Sequence, residues 1–175
     1  MHVEFNEVMV ELMTGDISDQ PDCDAIVNAA NAQLKSGGGV AGAIHGKGDP
    51  ELEELTRPLA PIKPGEAVIT EAPNLPNKYV VHCLGPVYGK DKPEEELLKK
   101  CYQNALQVAE ENKIESIVFP ALSTGAFGYP MKEAAQVAFS AVKEKAAELN
   151  HVKYIRFVLY SAADYNLHLQ VFKEY

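Results

Sequence analysis

The segment from Asp24 to His45, D-A-I-V-N-A-A-N-A-Q-L-K-S-G-G-G-V-A-G-A-I-H, constrains the fold most. It opens with a short apolar strand, Ala25 to Asn28, passes Asn28 and Asn31, and reaches three consecutive glycines, Gly37 to Gly39. The apolar, small-residue run Val40 to Ile44 can open a helix. Strand, glycine loop and helix start together make a backbone cradle for a phosphate. The motif is neither the dinucleotide fingerprint G-x-G-x-x-G nor a P-loop, which needs Gly-Lys-Ser/Thr. A tight turn can use one glycine for positive φ. Three exceed that need and suggest that something approaches the backbone closely.

The rest of the chain alternates strand and helix. Val8, Val10 and Leu12 alternate as in a half-buried strand within the run Val3 to Leu12. Strands are expected in E-A-V-I-T and K-Y-V-V-H-C-L, at Ser116 to Leu122 and at Tyr154 to Tyr160. Asp49-Pro50, Lys92-Pro93 and Pro130 mark helix starts, and Leu97, Leu98, Cys101, Ala105, Val108 and Ala109 recur at helical spacing. A last amphipathic helix is expected from Asp164 or Asn166. This order predicts one α/β domain over 1–175, a three-layer α/β/α sandwich with a mixed, largely parallel sheet of about six strands. Ligands bind beyond the carboxyl ends of such strands. The glycine-rich loops 35–42 and 123–129 both follow apolar strands, so they should share one edge.

The second loop, S-T-G-A-F-G-Y-P, offers the hydroxyls of Ser123 and Thr124, the amides of Gly125 and Ala126, and the rings of Phe127 and Tyr129. Alone it reads equally as a helix start with an aromatic plug. Two such loops on one edge suit a pyrophosphate between them, with aromatic surface for a sugar or base. Asn28 is read as a turn cap and Asn31 as a partner for a sugar hydroxyl. Asp16 can be a helix cap or accept from an exocyclic amine. His45 and His82, on an apolar helix start and within a strand, read as structural.

A formal charge of −9 argues against general nucleic-acid binding, which needs a basic footprint. Backbone amides would let so acidic a chain hold a phosphate without a cation. The three cysteines form neither a disulfide framework nor a zinc site, so no metal and no cofactor are expected. No apolar run approaches the ~18 residues of a membrane span, and the first residues lack a signal sequence. A cytoplasmic location is expected.

Taken together, D-A-I-V-N-A-A-N, K-S-G-G-G-V-A-G-A-I and S-T-G-A-F-G-Y-P, with G-D-I-S before and H-C-L-G-P-V between, resemble the macro domain family over nearly the whole chain. The resemblance implies an ADP-ribose-binding module, some of whose members release ADP-ribosyl groups from proteins or deacetylate O-acetyl-ADP-ribose. By position it implies that Asp16, beside the Ile17 amide, accepts from the adenine amino group and that Asn31 holds the distal ribose. Gly38, Gly39 and Val40 would flank the pyrophosphate and distal ribose on one side, and Ser123, Thr124, Gly125, Ala126 and Phe127 on the other. Tyr160 would stack on adenine. The chain departs from the pattern of MacroD-type hydrolases, which carry an aspartate two residues after the last glycine, where this chain has Ala41. A loop histidine used by some viral members is replaced by Ser36. What remains is a water activated by the ligand's own phosphate and positioned by Asn31, the one candidate catalytic residue. General-base help is worth ~10²–10⁴-fold, so a slow hydrolase or a pure reader of ADP-ribose is expected, its partner being ADP-ribose or an ADP-ribosylated protein.

Overall fold

A computed structural model describes all residues, 1–175. Seven strands form one sheet in the order β1-β2-β7-β6-β3-β5-β4. The strands are β1 (His2–Phe5), β2 (Val8–Thr14), β3 (Ala25–Ala29), β4 (Ala67–Glu71), β5 (Tyr79–Cys83), β6 (Ser116–Phe119) and β7 (Tyr154–Leu159). The helices are α1 (Gly39–Gly48), α2 (Glu51–Thr56), α3 (Glu94–Glu111), α4 (Met131–Ala146) and α5 (Ala162–Phe172), with one 3₁₀ turn at Arg57–Leu59. Strands β2, β7, β6, β3 and β5 run parallel, while β1 and β4 are antiparallel edges. The α/β/α expectation is met with one strand more than expected. The extra strand comes from the run Val3 to Leu12, which is a hairpin and not a single strand. Asn6 and Glu7 turn it with φ of 48° and 68°, a left-handed pair achieved without the glycine that usually announces it.

Strand alternation sorts the two sheet faces. Ala25, Val27, Val81, Cys83, Ile117, Phe119, Ile155, Phe157 and Leu159 point to the face covered by α3, α4 and α5, in a core of 34 buried residues. Tyr102, Phe119, Phe139 and Phe157 pack there edge to face and stacked, with centroids 5.1–6.0 Å apart. Ile26, Val80, Val118 and Val158 point the other way, toward Ile44 of α1 and Leu52 of α2.

Helix starts follow the expected prolines, with Pro93 and Pro130 directly before α3 and α4. Asp49 accepts from the Glu53 amide at 3.0 Å, so it caps α2 although Pro50 stands at the boundary. The last helix starts earlier than expected: Ser161, not Asp164, is its N-cap, its Oγ accepting from the Asp164 amide at 3.1 Å. No helix is long and apolar enough to cross a membrane.

Candidate functional site

Four neighbouring parallel strands, β2, β7, β6 and β3, end on one edge of the sheet. Their C-terminal loops carry, in that order, Asp16 and Ile17, Tyr160, Ser123 to Phe127, and Asn31 to Val40. At ~4.8 Å between strands, these positions line roughly 14 Å of one edge. The predicted site residues, scattered over 145 positions of sequence, therefore fall in a single row.

The loop after β3 is tied by Asn31. Its Nδ2 donates to the Lys35 carbonyl at 2.8 Å, and its Oδ1 accepts from the Lys35 amide at 3.1 Å. Within that turn Leu34 adopts φ +57°, a left-handed conformation that leucine rarely takes. It is held there by complete burial against Ala30, Ile62 and Leu84 and by the Thr56 hydroxyl, which donates to its carbonyl at 2.8 Å. One side of Asn31 is thus spent on the loop itself; the amide's second hydrogen and the oxygen's second lone pair remain.

The glycines then lead into α1. Gly38 is extended (φ −86°, ψ 176°) and Gly39 is left-handed (φ +56°). A methyl group at either would meet nothing within 4 Å, so this backbone lies open. The leading amides of α1, Gly39, Val40 and Ala41, have no intrahelical acceptor. No side chain caps them and no acid occupies the first turn. An uncapped helix start with the positive end of the dipole facing out is a place for an anion.

The loop after β6 is anchored by burial. Leu122, Ser123 and Tyr129 are buried, and the Leu122 amide donates to the Tyr102 hydroxyl at 3.1 Å. The Tyr129 amide closes the loop onto the Ser123 carbonyl at 2.8 Å, and that of Gly128 onto Gly125 at 3.0 Å. Phe127 packs against the Leu34 cluster, joining this loop to the foot of the first. The two hydroxyls turn inward. Thr124 Oγ1 donates to the Ala121 carbonyl at 2.7 Å, and Ser123 Oγ is buried against Gly85. Gly125 and Ala126 are exposed.

At the other end of the row Asp16 is exposed, and its Oδ1 accepts from the amide and hydroxyl of Ser18 at 2.8 and 2.7 Å. Those bonds hold its carboxyl below the usual range, so it is a carboxylate and an acceptor. Ile17 is buried among Cys23, Ile26 and Ile44. Tyr160, one residue beyond β7, is 95% exposed. The Gly15 amide donates to the Leu159 carbonyl at 3.1 Å, which keeps Asp16 and Tyr160 on neighbouring strand ends.

Asn28 is not a turn cap. It lies inside β3, fully buried, with Nδ2 3.1 Å from His82 Nδ1, and His82 Nε2 lies 3.0 Å from Thr70 Oγ1. Burial, with His45 nearby, pushes His82 down to about 3, so it is neutral. His45, on the buried face of α1, pairs with Asp49 at that helix's C-terminus at 2.8 Å. Neither imidazole reaches the open edge. Cys83 and Cys101 are buried thiols, Cys101 pushed up to about 12 by desolvation, which rules out thiolate chemistry there.

Sequence reasoning passed over the segment after β5. Gly85 lies under Ser123, the Tyr88 amide donates to the Phe127 carbonyl at 2.9 Å, and the Tyr88 ring stands 4.9 Å from Tyr129. The motif H-C-L-G-P-V was its only signal. The hollows of about 420 and 220 Å³ elsewhere on the surface are not lined by the glycines: one faces Glu71, Lys78 and Tyr79 at the opposite edge, the other lies beside Lys35 and Arg57.

Comparison with known proteins identifies the family and the fold. The macro domain family profile matches residues 27–138. A macro domain-containing protein of Caldanaerobacter subterraneus is 42% identical over 170 residues, 94% of this chain and 96% of that protein. The Oceanobacillus iheyensis macrodomain solved with ADP is 37% identical, with a TM-score of 0.92 over 99% of this chain and 95% of that one. The Trypanosoma brucei macrodomain in complex with ADP-ribose is 33% identical, with a TM-score of 0.85 over 92% and 68%.

Proposed function

This chain belongs to the macro domain family, and on that premise we propose that its open edge binds ADP-ribose and that it slowly hydrolyses mono-ADP-ribosyl groups from proteins or the acetyl group from O-acetyl-ADP-ribose. The observation that carries the binding is the uncapped start of α1: three leading amides, open glycine backbone and no acid, facing the edge that also carries Ser123 to Phe127. The ~14 Å row of strand ends suits an extended nucleoside diphosphate sugar. Adenine lies against the exposed Tyr160 ring, with its amino group toward Asp16 and the Ile17 amide beside it. The diphosphate takes the amides of Gly38, Gly39 and Val40 from one side. On the other it takes those of Gly125, Ala126 and Phe127, which follow the buried Ser123 and Thr124, whose own amide donates to the Ala121 carbonyl at 3.4 Å. The distal ribose meets Asn31 through the donor and lone pair that the Lys35 turn leaves unused.

For hydrolysis, neither loop flanking the distal ribose, 31–40 or 123–127, carries a carboxylate or an imidazole. His45, on the buried face of α1, and His82, on β5 beneath it, are closed off from solvent, and Asp16 stands at the adenine end. The attacking water is instead deprotonated by a phosphate oxygen of the ligand and oriented by Asn31. This absence of a side-chain base, with Ala41 and Ser36 at the positions where related hydrolases carry helpers, favours a second reading: a non-catalytic reader of ADP-ribosylated proteins.

Incubating mono-ADP-ribosylated protein with the wild type and with Asn31→Ala separates the two. Release above the spontaneous rate that Asn31→Ala loses supports the hydrolase. Tight ADP-ribose binding with no release leaves the reader. Absence of ADP-ribose binding at millimolar concentration removes both.

A further inference from the structure

We infer that the two loops are set in place by two glycines outside the proposed ligand contacts, Gly42 for the first loop and Gly85 for the second; the inference rests on the ADP-ribose reading for its effect on affinity. A Cβ at Gly42 would lie 2.6 Å from the Gly37 carbonyl oxygen and 3.6 Å from its carbon. The obstacle is backbone, so no rotamer relieves it. The Gly37 peptide can pack on the first turn of α1 only because residue 42 has no side chain, and that packing aims Gly38 and Gly39 across the helix start. With any side chain at 42 the glycine segment must lift, carrying the open amides away from the helix end whose field they share.

At Gly85 the obstacle is different. An added Cβ would overlap Ser123 Oγ and come within 3.3 Å of Ser123 Cβ and 3.5 Å of its amide nitrogen. Ser123 is buried, left-handed at φ +67°, and its hydroxyl has no partner within the protein. It is the residue after which the chain turns out to the exposed Gly125 and Ala126, while the Thr124 amide donates back to the Ala121 carbonyl at 3.4 Å. Here the clash is with the end of a short side chain, so its cost is smaller and removable.

Gly46 provides an internal control for Gly42. It stands on the same helix, and an added Cβ there meets nothing within 4 Å. Alanine is the better helix former, so Gly46→Ala should raise the melting temperature by about 2–4 °C and leave ADP-ribose affinity unchanged. Gly42→Ala should instead lower affinity by roughly tenfold or more, and shift the amide resonances of Gly37 to Ala41 in the ligand-free protein while those of α3 and α4 stay put. Gly85→Ala should cost about three- to tenfold in affinity. Combined with Ser123→Ala it should bind no worse than Ser123→Ala alone, the mark of two coupled positions.

Gly42→Ala with wild-type resonances, wild-type affinity and the stability gain of Gly46→Ala overturns the first half. Strictly additive losses at Gly85 and Ser123, or none, overturn the second. A wild type that binds no ADP-ribose defeats the functional reading instead, and the ligand-free resonances still decide the inference. If Gly42→Ala does not accumulate as folded protein, the milder Gly85 pair carries the test.

Discussion

The two loops reach the same edge by opposite means. The first, Asn31 to Ala41, is pinned at its foot by the buried Leu34 and by the Asn31–Lys35 bonds, but from Lys35 to Gly39 it is exposed backbone, and Gly38 and Gly39 have open space around them. The second, Leu122 to Tyr129, is sunk into the core at both ends by Leu122, Ser123 and Tyr129, and rests on the segment after β5. One loop offers amides that can be spoiled without disturbing the fold. In the other, binding and stability share residues.

The sharpest break of that contrast is Gly38→Glu. Gly38 has ordinary extended angles and open space around it, so the variant should fold with an unchanged melting temperature. It places a carboxylate where the diphosphate goes, and like charges set together cost several kcal/mol. ADP-ribose affinity should fall by about 100-fold or more in calorimetry. Unchanged affinity would remove the cradle; a collapse in stability would show that the first loop is no freer than the second.

Phe127→Ala tests the other side. The ring packs on the cluster of Ala30, Leu34, Ile62 and Leu84, so a chemical denaturation series should show a loss of about 1–3 kcal/mol, with affinity down roughly tenfold. Loss of affinity alone would mean that this loop, too, is separable from the core.

Tyr160→Ala is smaller still. At 95% exposure the ring contributes little to stability, and stacking on a base is worth about 1–3 kcal/mol. A fluorescence or calorimetric titration should show roughly a tenfold loss for ADP-ribose and no loss for ribose 5-phosphate.

A last effect, on stability and not on affinity, concerns the floor beneath α1. His82 is held to about 3 by burial, below the ~6.5 of an unfolded chain. Between those values the unfolded state binds the extra proton, so stability is complete above about pH 6.5 and declines as the pH falls toward 3, by at most about 1.4 kcal/mol per pH unit for one group. Buried His168, also shifted down by desolvation, adds to the same slope. Urea midpoints measured from pH 7 to 4 should fall less steeply in His82→Gln than in the wild type. An identical slope would take His82 out of the acid response.

Much of the fold was legible because each strand is a short apolar run and each long helix follows a proline. The β1–β2 hairpin was not, since Asn6 and Glu7 take positive φ without glycine. The start of α5 was misread because Ser161 is an ordinary residue whose capping bond shows only in three dimensions. At the site, the glycines and the S-T-G-A-F-G motif stand out because few other contexts need such residues. Asn28 misled because an asparagine at a strand end looks like a turn, whereas its partner, His82, comes from a strand 54 positions away in the chain and is itself paired with Thr70. Gly42 and Gly85 were invisible as positioning residues because their reason is the place of another loop.

The central claim is that a diphosphate is held by open amides at this edge. It is tested most directly by titrating the wild type with ADP-ribose and, separately, with adenosine in a calorimeter. The predicted result is one-to-one saturation by ADP-ribose at sub-millimolar concentration, more than tenfold tighter than adenosine. No heat of binding up to millimolar ADP-ribose, or equal affinity for adenosine, would contradict it.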